Sequence, residues 1–128
     1  MATVLRGGYD RIAASGDHNG KEGYGVTAAG AISASATAEI HGVITKADDP
    51  DGESTIALPQ CPDKIELKLH TTAGNIVKGS RLVQHTDGTF KLDPGTGARV
   101  VVAIAQEAKT AEAQLLQARL IVPLIFAS

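Results

Sequence analysis

The apolar residues of this chain come in strand-length runs, each cut off by glycine or proline, and this punctuation limits the possible folds more than any other feature. Ile65, Leu67 and Leu69 alternate with Glu66, Lys68 and His70, the period-two pattern of a strand with one wet face. Residues 100–105, Val-Val-Val-Ala-Ile-Ala, are apolar throughout, as in a strand buried on both faces. His85-Thr86-Asp87-Gly88-Thr89-Phe90 sets Asp-Gly between two such runs, a strong hairpin signal, with Phe90 and Leu92 alternating with Thr89 and Lys91 on the return strand. Residues 118–126 form a closing strand that Pro123 interrupts, which places that end at an edge or a bend. Pro50, Pro59, Pro62, Pro94 and Pro123 all fall at segment junctions, and only residues 109–117 admit a short helical reading. The predicted class is mainly β: a small closed or partly open β-barrel.

With two Tyr, two Phe and no Trp, the core must be built from Val, Ile, Leu and Ala. At 128 residues the chain is sized for one domain with a core that needs no disulfide or metal. Its formal charge of -2 speaks against a nucleic-acid binder, which concentrates positive charge on one face. The single Cys61 excludes intramolecular disulfides and Cys-rich zinc sites, and is expected to be a buried inert thiol in a reducing compartment. No run approaches 18 apolar residues and the first residues lack the pattern of a secretion signal, so a protein made in the cytoplasm and independent of membranes is expected.

Two regions differ in texture. Residues 1–25 carry glycines at 7, 8, 16, 20, 23 and 25 and few packing residues, so they read as a flexible N-terminal arm ahead of a barrel domain at 26–128. Tyr9 and Tyr24 lie in this arm, either as anchors for a partner or as fasteners to the arm's own barrel. If the arm is separate, deleting residues 6–25 should leave the barrel folded. Within the barrel region an internal echo is visible. Residues 38–47 followed by 55–59 resemble residues 98–108 followed by 119–123, and residues 26–32 and 76–82 stand upstream as glycine turns. Two similar hairpin units packed face to face would close a small barrel and remove exposed edges.

Tests for chemistry fail one by one. A phosphate loop ending at Gly20-Lys21 would need glycine at 15 and Ser or Thr at 22, where Ser15 and Glu22 stand. Gly23-x-Gly25-x-x-Ala28 follows no strand and opens no helix, so it lacks the context of a dinucleotide fingerprint. Asp48-Asp49-Pro50-Asp51-Gly52 resembles a calcium loop, yet position 47 is Ala and position 58 is Leu where ligands belong; a solvated turn that attracts a cation weakly is the better reading. His18, His41, His70 and His85 show none of the helical spacings that build metal sites, and surface or cross-strand hydrogen bonding is expected of them. No catalytic, cofactor or metal residues are named, and no enzyme activity is expected.

From Ala73 to Leu92, and again from Ala98 to Ala108, the order of features resembles the capsid decoration (cement, head-stabilising) proteins of tailed phages. Gly74, Val77, Gly79 and Leu82, here spaced Gly-x-x-Val-x-Gly-x-x-Leu, follow the order of that family's Gly-x-x-Val-x-x-Gly-x-x-Leu turn with one residue fewer before the second glycine. Asp87-Gly88 matches its hairpin, and Ile104, Ala105 and Glu107 its Val/Ile-rich strand. Ala103 stands where the pattern has glycine. The resemblance covers residues 73–123 and implies a β-barrel that binds the outside of an expanded icosahedral capsid and clamps neighbouring subunits. The implied partners are the major capsid protein and further copies of the chain, a homotrimer first and a dimer second, on the exterior of the virion. Tyr9, Arg11, Ile12 and Tyr24 of the arm are the expected capsid contacts. An assembly module outside phages is the alternative. The turn at residues 76–82 also resembles biotinyl and lipoyl carrier domains, but those need a lysine at a hairpin tip, and Lys91 sits within a returning strand.

Overall fold

A computed structural model describes residues 8–47, 52–70, 74–108 and 115–127, and among these it is all β, without helix. The nine strands are β1 (Tyr9–Ala13), β2 (Gly25–Val26), β3 (Gly42–Lys46), β4 (Glu53–Ala57), β5 (Ile65–Lys68), β6 (Arg81–Gln84), β7 (Phe90–Leu92), β8 (Arg99–Ala105) and β9 (Leu115–Phe126). The first half of the chain forms a four-stranded sheet of order β1-β4-β3-β2, and the second half a five-stranded sheet of order β5-β9-β8-β6-β7. All strand pairs are antiparallel.

The two sheets share one winding. In each half the first strand pairs with the last, the last with the one before it, and that one with the second. Even β7, which pairs with β6, has a counterpart in the bridge between Val26 of β2 and Ile32. The internal echo therefore marks real hairpins, β3–β4 and β8–β9. The upstream glycine turns are not equivalent: residues 26–32 turn back just beyond β2, whereas residues 76–82 lead into β6.

The second sheet curls into a half-barrel. Register shifts at Leu82/Val83 and at Val101/Ala103 supply the local twist that bulges impose. The curl brings its two ends together: Leu69, just beyond β5, bridges Phe90 of β7, and the His70 N–H donates to the Phe90 carbonyl at 2.9 Å. Alternation along β5 buries Ile65, Leu67 and Leu69, and β8 is buried on both faces as its composition predicts. The Asp-Gly hairpin forms as expected, with Gly88 at φ +82° completing the loop between β6 and β7. Of the residues with a helical reading, 115–117 belong to β9, because Leu116 and Ala118 face the core from a strand; the rest lie outside the described residues.

The first sheet is buried on both faces. Val43 and Ala57 join the main cluster with Leu67, Phe90, Val100 and Leu116, while Ile44, Ile56 and Val26 form a second cluster on the opposite face. A sheet with two apolar faces needs a cover on each, and the glycine-rich stretch provides the second. His18 is fully buried there, its Nδ1 2.7 Å from Ser54 Oγ of β4 and its Nε2 2.6 Å from the Gly30 carbonyl. Residues 8–25 are thus part of the folded body over the described range, and the boundary expected at 25/26 falls inside β2. A His–Ser–carbonyl network and a paired edge strand supply the packing that a count of apolar residues in this stretch omits.

Gly23 is where the two sheets meet. Its N–H donates to the Ile44 carbonyl of β3 at 2.8 Å, and its carbonyl accepts from the Lys68 N–H of β5 at 2.9 Å. With φ +89°, and with a Cβ that would stand 2.6 Å from the Lys68 nitrogen, the position admits only glycine.

Candidate functional site

The residues expected to meet a capsid fall in two places. Tyr9, Arg11 and Ile12 lie on β1, at the edge of the first sheet, where they stand opposite Ala57, Thr55 and Ser54 of β4. Alternation sends Ile12 to the second core cluster and turns Tyr9 to the main one. The Tyr9 hydroxyl donates to Asp63 Oδ2 at 2.8 Å. Burial, and then the hydrogen bonds to Asp63 and Cys61, push its pKa far above the usual phenol range, so it stays protonated. Of the two roles open to the tyrosines, fastening the segment to its own barrel is the one Tyr9 fills in the isolated chain. Arg11 is half-buried, its Nε 3.3 Å from Glu53 Oε1 on the neighbouring strand.

Tyr24 stands apart from β1, in the turn that enters β2. Its backbone bonds both ways, to the Lys21 carbonyl and to the Ile44 N–H. Its half-buried ring carries the Lys21 ammonium 4.8 Å from the centroid. Between β1 and β3 on one side and β5 and the start of β9 on the other runs an open cleft of about 430 Å³, walled by Tyr9, Gly23, Ile44 and Leu115 and rimmed by Glu22 and Lys64. β1, paired with β4, borders this cleft at Tyr9.

A second surface escaped the sequence reading. β9 runs for twelve residues, but β5 pairs only with its residues 115–118. The remainder, paired with β8, carries Val122, Leu124 and Ile125 at 54%, 44% and 63% exposure. Pro123 lies in this overhanging half, at an edge as expected, since proline has no N–H to give a second neighbour. The signal was present in the near-continuous apolar run at 120–126, longer than the strand that could cover it. Sequence alone could not distinguish a doubly buried strand from an overhanging one.

Other singled-out residues are placed as follows. Cys61 is buried in the main core, at 1% exposure. Of the two roles expected of the histidines, His18 takes the hydrogen-bonded one, fully buried against Ser54 of β4, and His41 is exposed. The turn at Asp48–Asp51 lies outside the described residues. On the resemblance motif, Gly79 adopts φ +94°, Ser80 N–H donates to the Val77 carbonyl at 3.0 Å, and Leu82 is fully buried, so these residues specify a turn feeding β6. No protein-family model matches the chain, and no match was found among curated proteins.

Proposed function

We propose that this protein is a structural component of a virion, which binds the outer surface of an icosahedral phage capsid and stabilises it by clamping neighbouring major capsid subunits. The observation that carries this reading is the overhanging half of β9, with Val122, Leu124 and Ile125 exposed on a strand that outruns its partner. Aliphatic side chains on a rigid strand each contribute about 1.5–3 kcal/mol when fully buried, and a rigid scaffold spends little entropy in bringing them together. Copies of the chain meet there and assemble as a homotrimer. Each copy then presents its β1 edge, with Arg11, Tyr24 and the adjacent cleft, to an extended segment of the major capsid protein. Three modest contacts held in one body give the avidity that a single edge lacks. The turn and hairpin shared with decoration proteins support the same role, since they build the scaffold on which these surfaces sit.

The test is sedimentation with expanded phage capsids stripped of decoration. Saturable pelleting, with bound copies in multiples of three per capsid, is the expected result. A protein that remains in the supernatant with undecorated capsids of its own phage would overturn the proposal.

A further inference from the structure

The spacings that exclude a helical metal motif say nothing about ligands gathered from different strands, and the closure of the curled sheet gathers three. His70 lies just beyond β5, His85 follows β6, and Asp87 lies in the loop leading to β7. The hydrogen bond from the His70 N–H to the Phe90 carbonyl and that from the His85 N–H to the Thr89 carbonyl, both 2.9 Å, fix the two backbones beside each other. The imidazoles stack with centroids 4.0 Å apart and planes 24° from parallel. His70 Nε2 is 3.6 Å from Asp87 Oδ2, and His85 Nδ1 is 3.3 Å from Asp87 Oδ1. One ligand atom from each residue lies within 4.8 Å of the others.

We propose that His70, His85 and Asp87 form a binding site for a divalent first-row transition ion, zinc being the fitting example, which pins the end of β5 to the β6–β7 hairpin. Two imidazole nitrogens and one carboxylate oxygen make the donor set such ions prefer over calcium or magnesium, which take mostly oxygen. Metal bonds of about 2.0–2.1 Å require ligand atoms roughly 3.3 Å apart in a tetrahedron. Each histidine already stands near that distance from an Asp87 oxygen, His70 from Oδ2 and His85 from Oδ1, and one ligand atom from each residue lies within 4.8 Å of the others. The remaining closure is within reach of imidazoles that are 22% and 25% exposed. The carboxylate is oriented in advance, because the Thr89 N–H donates to Asp87 Oδ1 at 3.1 Å and the Thr89 hydroxyl donates to the same oxygen. Asp87 itself is half-exposed, which gives an ion a way in and leaves room for a water ligand. The location gives the ion a role. Leu69 and Phe90 close the curled sheet beside it, and the Gly88 carbonyl accepts from the Gly25 N–H of the first sheet, so one ion would tie the end of β5 to a hairpin that already bonds to the first sheet.

The experiment is a titration of the full-length chain, previously stripped with a chelator, with zinc chloride alone, followed by calorimetry and thermal melting. Saturable binding at one ion per chain is expected, with a melting temperature raised by about 8–15 °C when free zinc is a hundredfold above Kd. His70→Ala, His85→Ala and Asp87→Asn should each weaken binding at least about tenfold, while His41→Ala should not. Because a hairpin variant could melt earlier for reasons of its own, the second readout uses the unaltered chain. Cobalt(II) should shift the imidazole proton resonances of His70 and His85 and leave those of His18 and His41 in place. Absence of saturable binding below millimolar zinc, binding indifferent to His70 and His85, or cobalt shifts centred on another histidine would each overturn the proposal.

Discussion

At Gly23 a single hydrogen atom in place of a side chain lets the loop bond to β3 and β5 at once. Gly23→Ala forces a Cβ against the Lys68 nitrogen at a positive φ, and we expect it to cost about 2–3 kcal/mol in urea unfolding. Gly16 and Gly20, where a Cβ would meet open space, should cost less when replaced in the same way. His18 presents the complementary case of a buried polar group that must be satisfied. Ser54→Ala removes the partner of Nδ1 and leaves that nitrogen buried, so a loss of about 1–3 kcal/mol is expected from the same measurement. Tyr9→Phe keeps the ring in the core and removes only the hydrogen bond to Asp63, for about 0.5–1.5 kcal/mol. None of these roles could be read from the sequence, because each depends on an atom more than ten positions away.

Among the elements, the strands with clean patterns are the ones the sequence reveals: β5 by alternation, β8 by its apolar run, and β6–β7 by Asp-Gly. β1 and β2 are hidden. β1 carries Asp10 and Arg11 among its five residues, β2 is only Gly25 and Val26, and each pairs with a ladder that β4 or β3 offers. The end of β9 is held by charge as well as by pairing. Phe126, opposite Arg99, has the Arg99 guanidinium 4.1 Å and the Arg81 guanidinium 5.5 Å from its ring centroid, and Asp93 lies 2.5 Å from Arg99 Nε and 3.5 Å from Arg81 Nε. Burial alone would raise the Asp93 pKa. The Gly95 N–H, the Arg99 hydrogen bond and the two guanidinium charges outweigh it and leave the carboxyl below its ordinary range. A depressed folded-state pKa means that the stabilisation is complete well above the unfolded value of about 3.9 and is lost as pH falls through the folded value. Asp93→Asn should therefore lower the melting temperature at pH 7, and the gap from the unaltered chain should narrow below about pH 4.

For the whole molecule, the arrangement of sheets decides what can be removed. Deleting residues 6–25 takes away β1, the buried His18 and the Gly23 junction, so we expect the rest to melt tens of degrees earlier or to fail to fold, instead of surviving as a trimmed barrel. The overhang of β9 permits a cleaner separation of surface from scaffold. Val122→Ser with Ile125→Ser removes exposed aliphatic area, so if the proposed trimer forms through this strand, light scattering should show it falling to monomers while the melting temperature of the monomer changes little.

What the sequence determined by itself was what repeats over a few residues, the β class, the Asp-Gly hairpin and the aliphatic core, together with the doubling of one hairpin unit, visible because the pattern at 38–47 returns at 98–108. Local periodicity carries that information because side chains alternate along a strand whatever the strand packs against. Tertiary structure decided the rest: that the glycine-rich start is built into the first sheet, that half of β9 overhangs, and that His70 meets His85 and Asp87. These features depend on which strand edges meet when a curled sheet closes, and such long-range pairing leaves no trace in the spacing of neighbouring residues.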